Sequence, residues 1–156
     1  MENLEQKAQF LREDYTKALT ALDENTEHKW GKMNVRQMIE HMADYVRIAS
    51  GKSQVRNVTP ENVLPRMQNF LASEKPFPEN TPNVLMPDVP EPVKHETKEA
   101  AVAELQDELN DFFAVYEQKE GLITTNPFFG DLDFDHQVQL LHKHATHHLK
   151  QFGVEV

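Results

Sequence analysis

Apolar residues recur at three- and four-residue steps in four long stretches of the chain, and nowhere do they alternate convincingly with period two. Spacing of that kind lines one face of a helix, whereas strands need alternation. In the first stretch Leu4, Ala8, Leu11, Tyr15, Ala18, Leu19 and Leu22 make the apolar face of an otherwise charged helix. Residues 23–32 are polar apart from Trp30 and read as a loop carrying one large anchor beside Gly31. A second helix is predicted over about 35–50, because Asn34 is a good N-cap, Gln37 is placed to reach back to it, and Met33 and Met38 hold the staple positions. Val35, Met38, Ile39, Met42, Tyr45, Val46 and Ala49 form its buried stripe, and Gly51 stands at its end. The third spans about 97–119, with Val102, Leu105, Leu109, Phe112, Phe113 and Tyr116 inward. The fourth opens on Asp133, with Asp135 in its first turn where a carboxylate suits the helix dipole, and runs through Val138, Leu141, Ala145 and Leu149 to Phe152.

Residues 52–95 break this pattern. Either Thr59, Pro60, Glu61 or Leu64, Pro65 opens a short helix reaching about Ser73, and six prolines from Pro76 to Pro92 exclude regular structure after it. So long a connection calls for a purpose: a lid, a dimer arm, or a crossover that lets two helices run parallel. Asn126, Pro127, Phe128, Phe129, Gly130 is expected to be a turn displaying two aromatics. The fold class expected is all-α: a four-helix bundle, one domain over 1–156, with a long Pro-rich crossover between the second and third helices and no strands.

A chain of 156 residues is one domain in size, and folding buries roughly 70% of its unfolded surface. Its 16 Lys plus Arg against 26 Asp plus Glu leave a formal charge of −10, which argues against nucleic acid and anionic membrane as partners. The longest apolar run is five residues, Phe112 to Tyr116, and the N-terminus shows no secretory signal, so a cytoplasmic protein without a membrane span is expected. Cysteine is absent, which removes disulfides, a thiolate nucleophile and sulfur metal ligands together.

Against that absence stand eight histidines, five of them at His136, His142, His144, His147 and His148. On a helix His144 and His148 project from one face a turn apart, the geometry with which two imidazoles grip one ion. His147 points further toward solvent, His142 lies on the opposite flank, and His144 with His147 is a weaker alternative pair. His41 occupies the corresponding flank of the second helix. Three neutral imidazoles from two facing helices would leave open positions for water or substrate, and they suit Zn, Ni, Fe or Mn without choosing among them. The competing reading is a His-rich surface helix and a packed boundary histidine. Met33, Met38 and Met42 read as core filler. Glu40 and Asp44, flanking His41, are solvated charges, ligand-orienting groups or a base.

Trp30, Gly31, Lys32, Met33 followed by Val35, Gln37, Met38, Ile39, Glu40, His41, Met42, and later Lys143, His144, Ala145, Thr146, His147, His148, Leu149, Lys150, Gln151, Phe152, Gly153, resemble the DinB/YfiT-like superfamily over most of the chain. Pro127, Phe128, Phe129, Gly130 match the turn before its last helix. The resemblance implies a bundle whose second and third helices run parallel, a divalent metal on His41, His144 and His148, and frequent homodimers. Some members transfer thiols such as bacillithiol or mycothiol to electrophiles; the branch this chain resembles has no assigned reaction. Three functions follow as expectations: a metal-dependent enzyme that transfers a small-molecule thiol to an electrophile, a metal-dependent hydrolase, or a non-catalytic metal-binding or assembly module. An anionic thiol would need a basic patch, for which Lys32, Arg36 and Lys143 are the candidates if they converge on the site.

Overall fold

The computed structural model describes residues 1–81, 83, 86 and 89–156. Its first rod consists of α1 (Leu4–Gln9), a π-helical turn (Phe10–Asp14) and α2 (Tyr15–Ala21), where the sequence pattern predicts one uninterrupted helix. Within the wide turn Phe10 stacks on Tyr15 at 5.8 Å and meets His142 edge-on at 5.5 Å. Helix α3 (Val35–Ser50) begins at the predicted capping box: Asn34 accepts from the Gln37 backbone N–H at 2.8 Å, and the Gln37 side chain accepts from Asn34 N–H at 2.9 Å. Helix α4 (Leu64–Ala72) uses the second of the two expected openings, with Pro65 in its first turn where no donor is missed. Helices α5 (Lys98–Gln118) and α6 (Phe134–Gln151) are capped by Thr97 and Asp133, which accept from the backbone of Ala100 and His136.

Helix directions follow from who touches whom. Arg36 meets His95, Arg47 meets Glu104 and Glu108, and Tyr116 OH donates to Ala49 O, so residue numbers rise together and α3 runs parallel to α5. Thr16 bonds Gln106 and Lys98 reaches Leu22 O, making the first rod antiparallel to α5. Lys7 bonds Gln139 near one end of the α1–α6 contact while Phe10 meets His142 further on, so those two are parallel. Helix α6 in turn is antiparallel to α3, since Gln151 reaches Trp30 and His144 reaches His41.

The long connection is thus a crossover between parallel α3 and α5. Its early part lies on the turn before α6, with Val58 N–H donating to Pro127 O, Thr59 Oγ1 to Phe128 O and Gln68 Nε2 to Phe129 O. The end of α4 is held by Lys143 Nζ and Gln139 Nε2, which both donate to Ser73 O at 2.9 Å. At the far end the buried Glu40 carboxylate accepts from Lys94 and His95 N–H. Of the prolines expected to exclude regular structure, Pro82 and Pro87 lie outside the described residues.

The expectation of no strands is corrected by a small antiparallel hairpin, β1 (Thr124–Asn126) and β2 (Gly130–Leu132). Strands of three residues are too short to register as alternation, and side chains rather than a long ladder hold them. Asn126 Oδ1 accepts from Phe128 and Phe129 N–H, closing the turn. Thr124 Oγ1 donates to Ala49 O and accepts from Gln137 Nε2. Phe129 is not displayed as expected: it is buried with Leu71, Leu132 and Leu140 in a second apolar cluster beneath the crossover. The main core lies among the first rod, α3, α5 and α6, and includes Met33, Met38 and Met42 as packing residues. Among the described residues no helix is long and apolar enough to cross a membrane.

Candidate metal centre

Antiparallel packing of α3 against α6 brings together the imidazoles that spacing had placed on two separate flanks. His41 Nε2 lies 3.1 Å from His144 Nε2, and the His41 ring centroid stands 5.0 Å from those of both His144 and His148. One ring nitrogen from each of His41, His144 and His148 falls within 4.8 Å of the other two. Two imidazoles on one tetrahedral ion, with bonds of about 2.0–2.1 Å, stand about 3.3 Å apart, so the closest pair is already at ligating separation.

The donor set has the chemistry a cation needs. Burial depresses the His41 pKa from 6.5 to about 4, with Asp44 opposing the shift, and burial likewise holds His144 and His148 well below the ordinary imidazole value. All three rings are therefore neutral at pH 7, the form that ligates. His148 is 6% exposed; its Nδ1 faces Gln151 Oε1 at 2.8 Å, and its Nε2 has no hydrogen-bond partner among the described residues. A buried polar atom without a partner costs roughly 1–3 kcal/mol, which an ion at that position would relieve.

Aromatic rings enclose the cluster. The Tyr45 ring packs 4.9 Å from both His41 and His144, and its hydroxyl accepts from Asn83 Nδ2 at 2.9 Å. Phe77, carried by the crossover, meets His144 and His147 edge-on at 6.1 and 5.8 Å. His147 is half-buried between Phe77 and Trp30, and its ring also bonds the Phe77 backbone, so it stands beside the three-nitrogen group rather than in it. His142 lies on the opposite flank against Phe10, as its position on the helix predicts.

Other candidates are placed elsewhere. Glu40 is occupied by the backbone of Lys94 and His95, and Asp44 pairs with Arg47, so neither carboxylate hydrogen-bonds His41. Arg36 donates to His95 O and Lys143 to Ser73 O and Lys75 O, while Lys32 is exposed, so the supposed convergence of these cations is not found. The role that sequence reasoning missed is that of Gln151, which enters there only among the residues that carry the family resemblance. Its signal was available: it lies three residues after His148 on the same helix, within reach of that ring's second nitrogen.

A mostly helical bundle whose second and last long helices bring three imidazoles within reach of one ion defines the class. The chain belongs to the DinB superfamily, whose family model matches residues 8–152, nearly its whole length. No curated protein and no solved structure matches it.

Proposed function

We propose that this chain holds a divalent transition metal, Zn, Ni, Fe or Mn, on His41, His144 and His148, and uses it to transfer a low-molecular-weight thiol to an electrophile. The observation that carries the reading is the bare, buried Nε2 of His148 beside two further neutral imidazoles. A bound ion would supply Lewis acidity, bringing the pKa of a coordinated thiol toward neutrality.

The chain's own residues set the conditions for that chemistry. Tyr45 keeps its proton because burial raises its pKa, and its oxygen already accepts from Asn83, which leaves the O–H to donate. Phe77 packs edge-on against His144, and Trp30 packs on the neighbouring His147. Since the chain contains no cysteine, the sulfur arrives with the substrate. Arg36 and Lys143 are committed to backbone carbonyls, which favours an uncharged thiol over an anionic one. As the family resemblance implies, we take the protein to act as a homodimer.

Protein purified without a histidine tag is expected to carry stoichiometric metal, and His41→Ala or His148→Ala to lose most of it. A full complement in both variants would refute the three-histidine assignment. In cobalt-substituted protein, addition of a small thiol should change the visible spectrum. An unchanged spectrum removes thiol transfer and leaves hydrolysis or a non-catalytic metal site.

A further inference from the structure

Gln151 is 3% exposed on the last turn of α6, and its side chain bridges two parts of the molecule. Its Nε2 donates to Trp30 O at 2.9 Å, and its Oε1 lies 2.8 Å from His148 Nδ1. Chemistry assigns every proton along this path. A backbone carbonyl only accepts, so the amide nitrogen must face Trp30 and the amide oxygen must face His148. An amide oxygen also only accepts, so Nδ1 must carry the imidazole proton. In a neutral ring Nε2 is then a bare lone pair, the state a metal requires.

The loop is built to receive this amide. Lys29 N–H donates to the backbone oxygen of Gln151 at 2.7 Å, tying the loop to the helix end. Gly31 sits at φ +79°, and a Cβ there would lie 2.7 Å from Gln151 Nε2. Only glycine satisfies both the left-handed backbone and that approach.

We infer that Gln151 is a positioning residue that locks His148 in the Nδ1–H tautomer, and that the Trp30 carbonyl and Gly31 fix which end of the Gln151 amide faces the ring. The inference rests on the proposed metal role of His148 for its purpose, although the tautomer lock exists without the ion. It gives the Trp30, Gly31 pair a function that packing alone does not: the loop sets the protonation of a ligand carried by the last helix.

The test uses the full chain labelled with ¹⁵N-histidine, metal-free for the tautomer and titrated with Zn²⁺ against a chromophoric chelator for affinity. Wild type should show His148 protonated on Nδ1 at neutral pH. Gln151→Leu should lose that preference and bind Zn²⁺ roughly 10- to 100-fold more weakly, the usual effect of removing an outer-shell partner. Gln151→Glu keeps an acceptor for Nδ1–H and should retain the tautomer and bind more tightly than the Leu variant. A packing role predicts the reverse order, because burying a carboxylate is costlier than burying leucine. Gly31→Ala should behave like Gln151→Leu. Protonation of His148 on Nε2 in wild type, or wild-type Zn²⁺ affinity in Gln151→Leu with the tautomer unchanged, overturns the inference. Wild type with the expected tautomer but no Zn²⁺ binding refutes the proposed function and supports the lock.

Discussion

Acidifying the metal-free protein should destabilise it well above the pH at which carboxylates titrate. The ordinary imidazole pKa is 6.5, and burial lowers that of folded His41 to about 4. Between those values the unfolded chain takes up a proton that the folded chain refuses, so stability is full above pH 6.5 and is lost as the pH falls toward 4. Each pH unit in that window removes about 1.4 kcal/mol for one such group, hence about 2 kcal/mol from His41 alone between pH 6.5 and 5. His142 is likewise held near 4 by burial, with Lys7 adding to the shift, and contributes a similar loss. His144 and His148 shift in the same direction and for the same first cause. His41 and His142 together would lose about 4 kcal/mol by pH 5, a large part of the roughly 5–15 kcal/mol that holds a typical domain folded. Urea denaturation in excess chelator at pH 7.5, 6.5, 5.8 and 5.2, for wild type and His142→Gln, reads the slope. The variant, which leaves the three candidate ligands in place, should flatten it by up to about 1.4 kcal/mol per pH unit. Equal stability of the wild type at pH 7.5 and 5.2, or an identical slope in His142→Gln, would show that these rings are not held neutral by burial.

Two further outcomes concern the frame around the site. Lys98, 7% exposed, donates to Leu19 O, Thr20 O and Leu22 O at the end of α2; Lys98→Met removes all three bonds, leaving Leu19 O only the Leu22 N–H, and should cost about 2–3 kcal/mol in urea denaturation at pH 7.5. Phe112 is fully buried among Phe113, Tyr116 and Phe134, so Phe112→Ala should cost about 3–5 kcal/mol, visible as a lowered thermal midpoint with helical circular dichroism retained below it.

The helices and their ends were legible because the forces that shape them are local. Asn34 with Gln37 and Asp133 with His136 each act within three residues, and the apolar stripes repeat within single helices. The four-residue separation of His144 and His148 belongs to the same kind of information. By contrast, the hairpin at 124–132 was missed, because its stability comes from Thr124 reaching Ala49 and Gln137 rather than from any pattern in its short strands. The π-helical turn at Phe10–Asp14 likewise leaves no periodic trace that separates it from an ordinary helix.

The helical segments, the caps at Asn34 and Asp133, the family resemblance and the three candidate histidines can be read from the chain alone. Packing of α3 against α6 brings His41 Nε2 to 3.1 Å from His144 Nε2, a distance that no local pattern encodes. The tertiary structure also decided that Glu40 serves the crossover and not His41. The orientation of Gln151 was illegible for a related reason: the carbonyl that selects it belongs to Trp30, 121 residues away in the chain. Helical periodicity is written in near neighbours, whereas the protonation of a buried imidazole is set by whichever distant group the fold places against it.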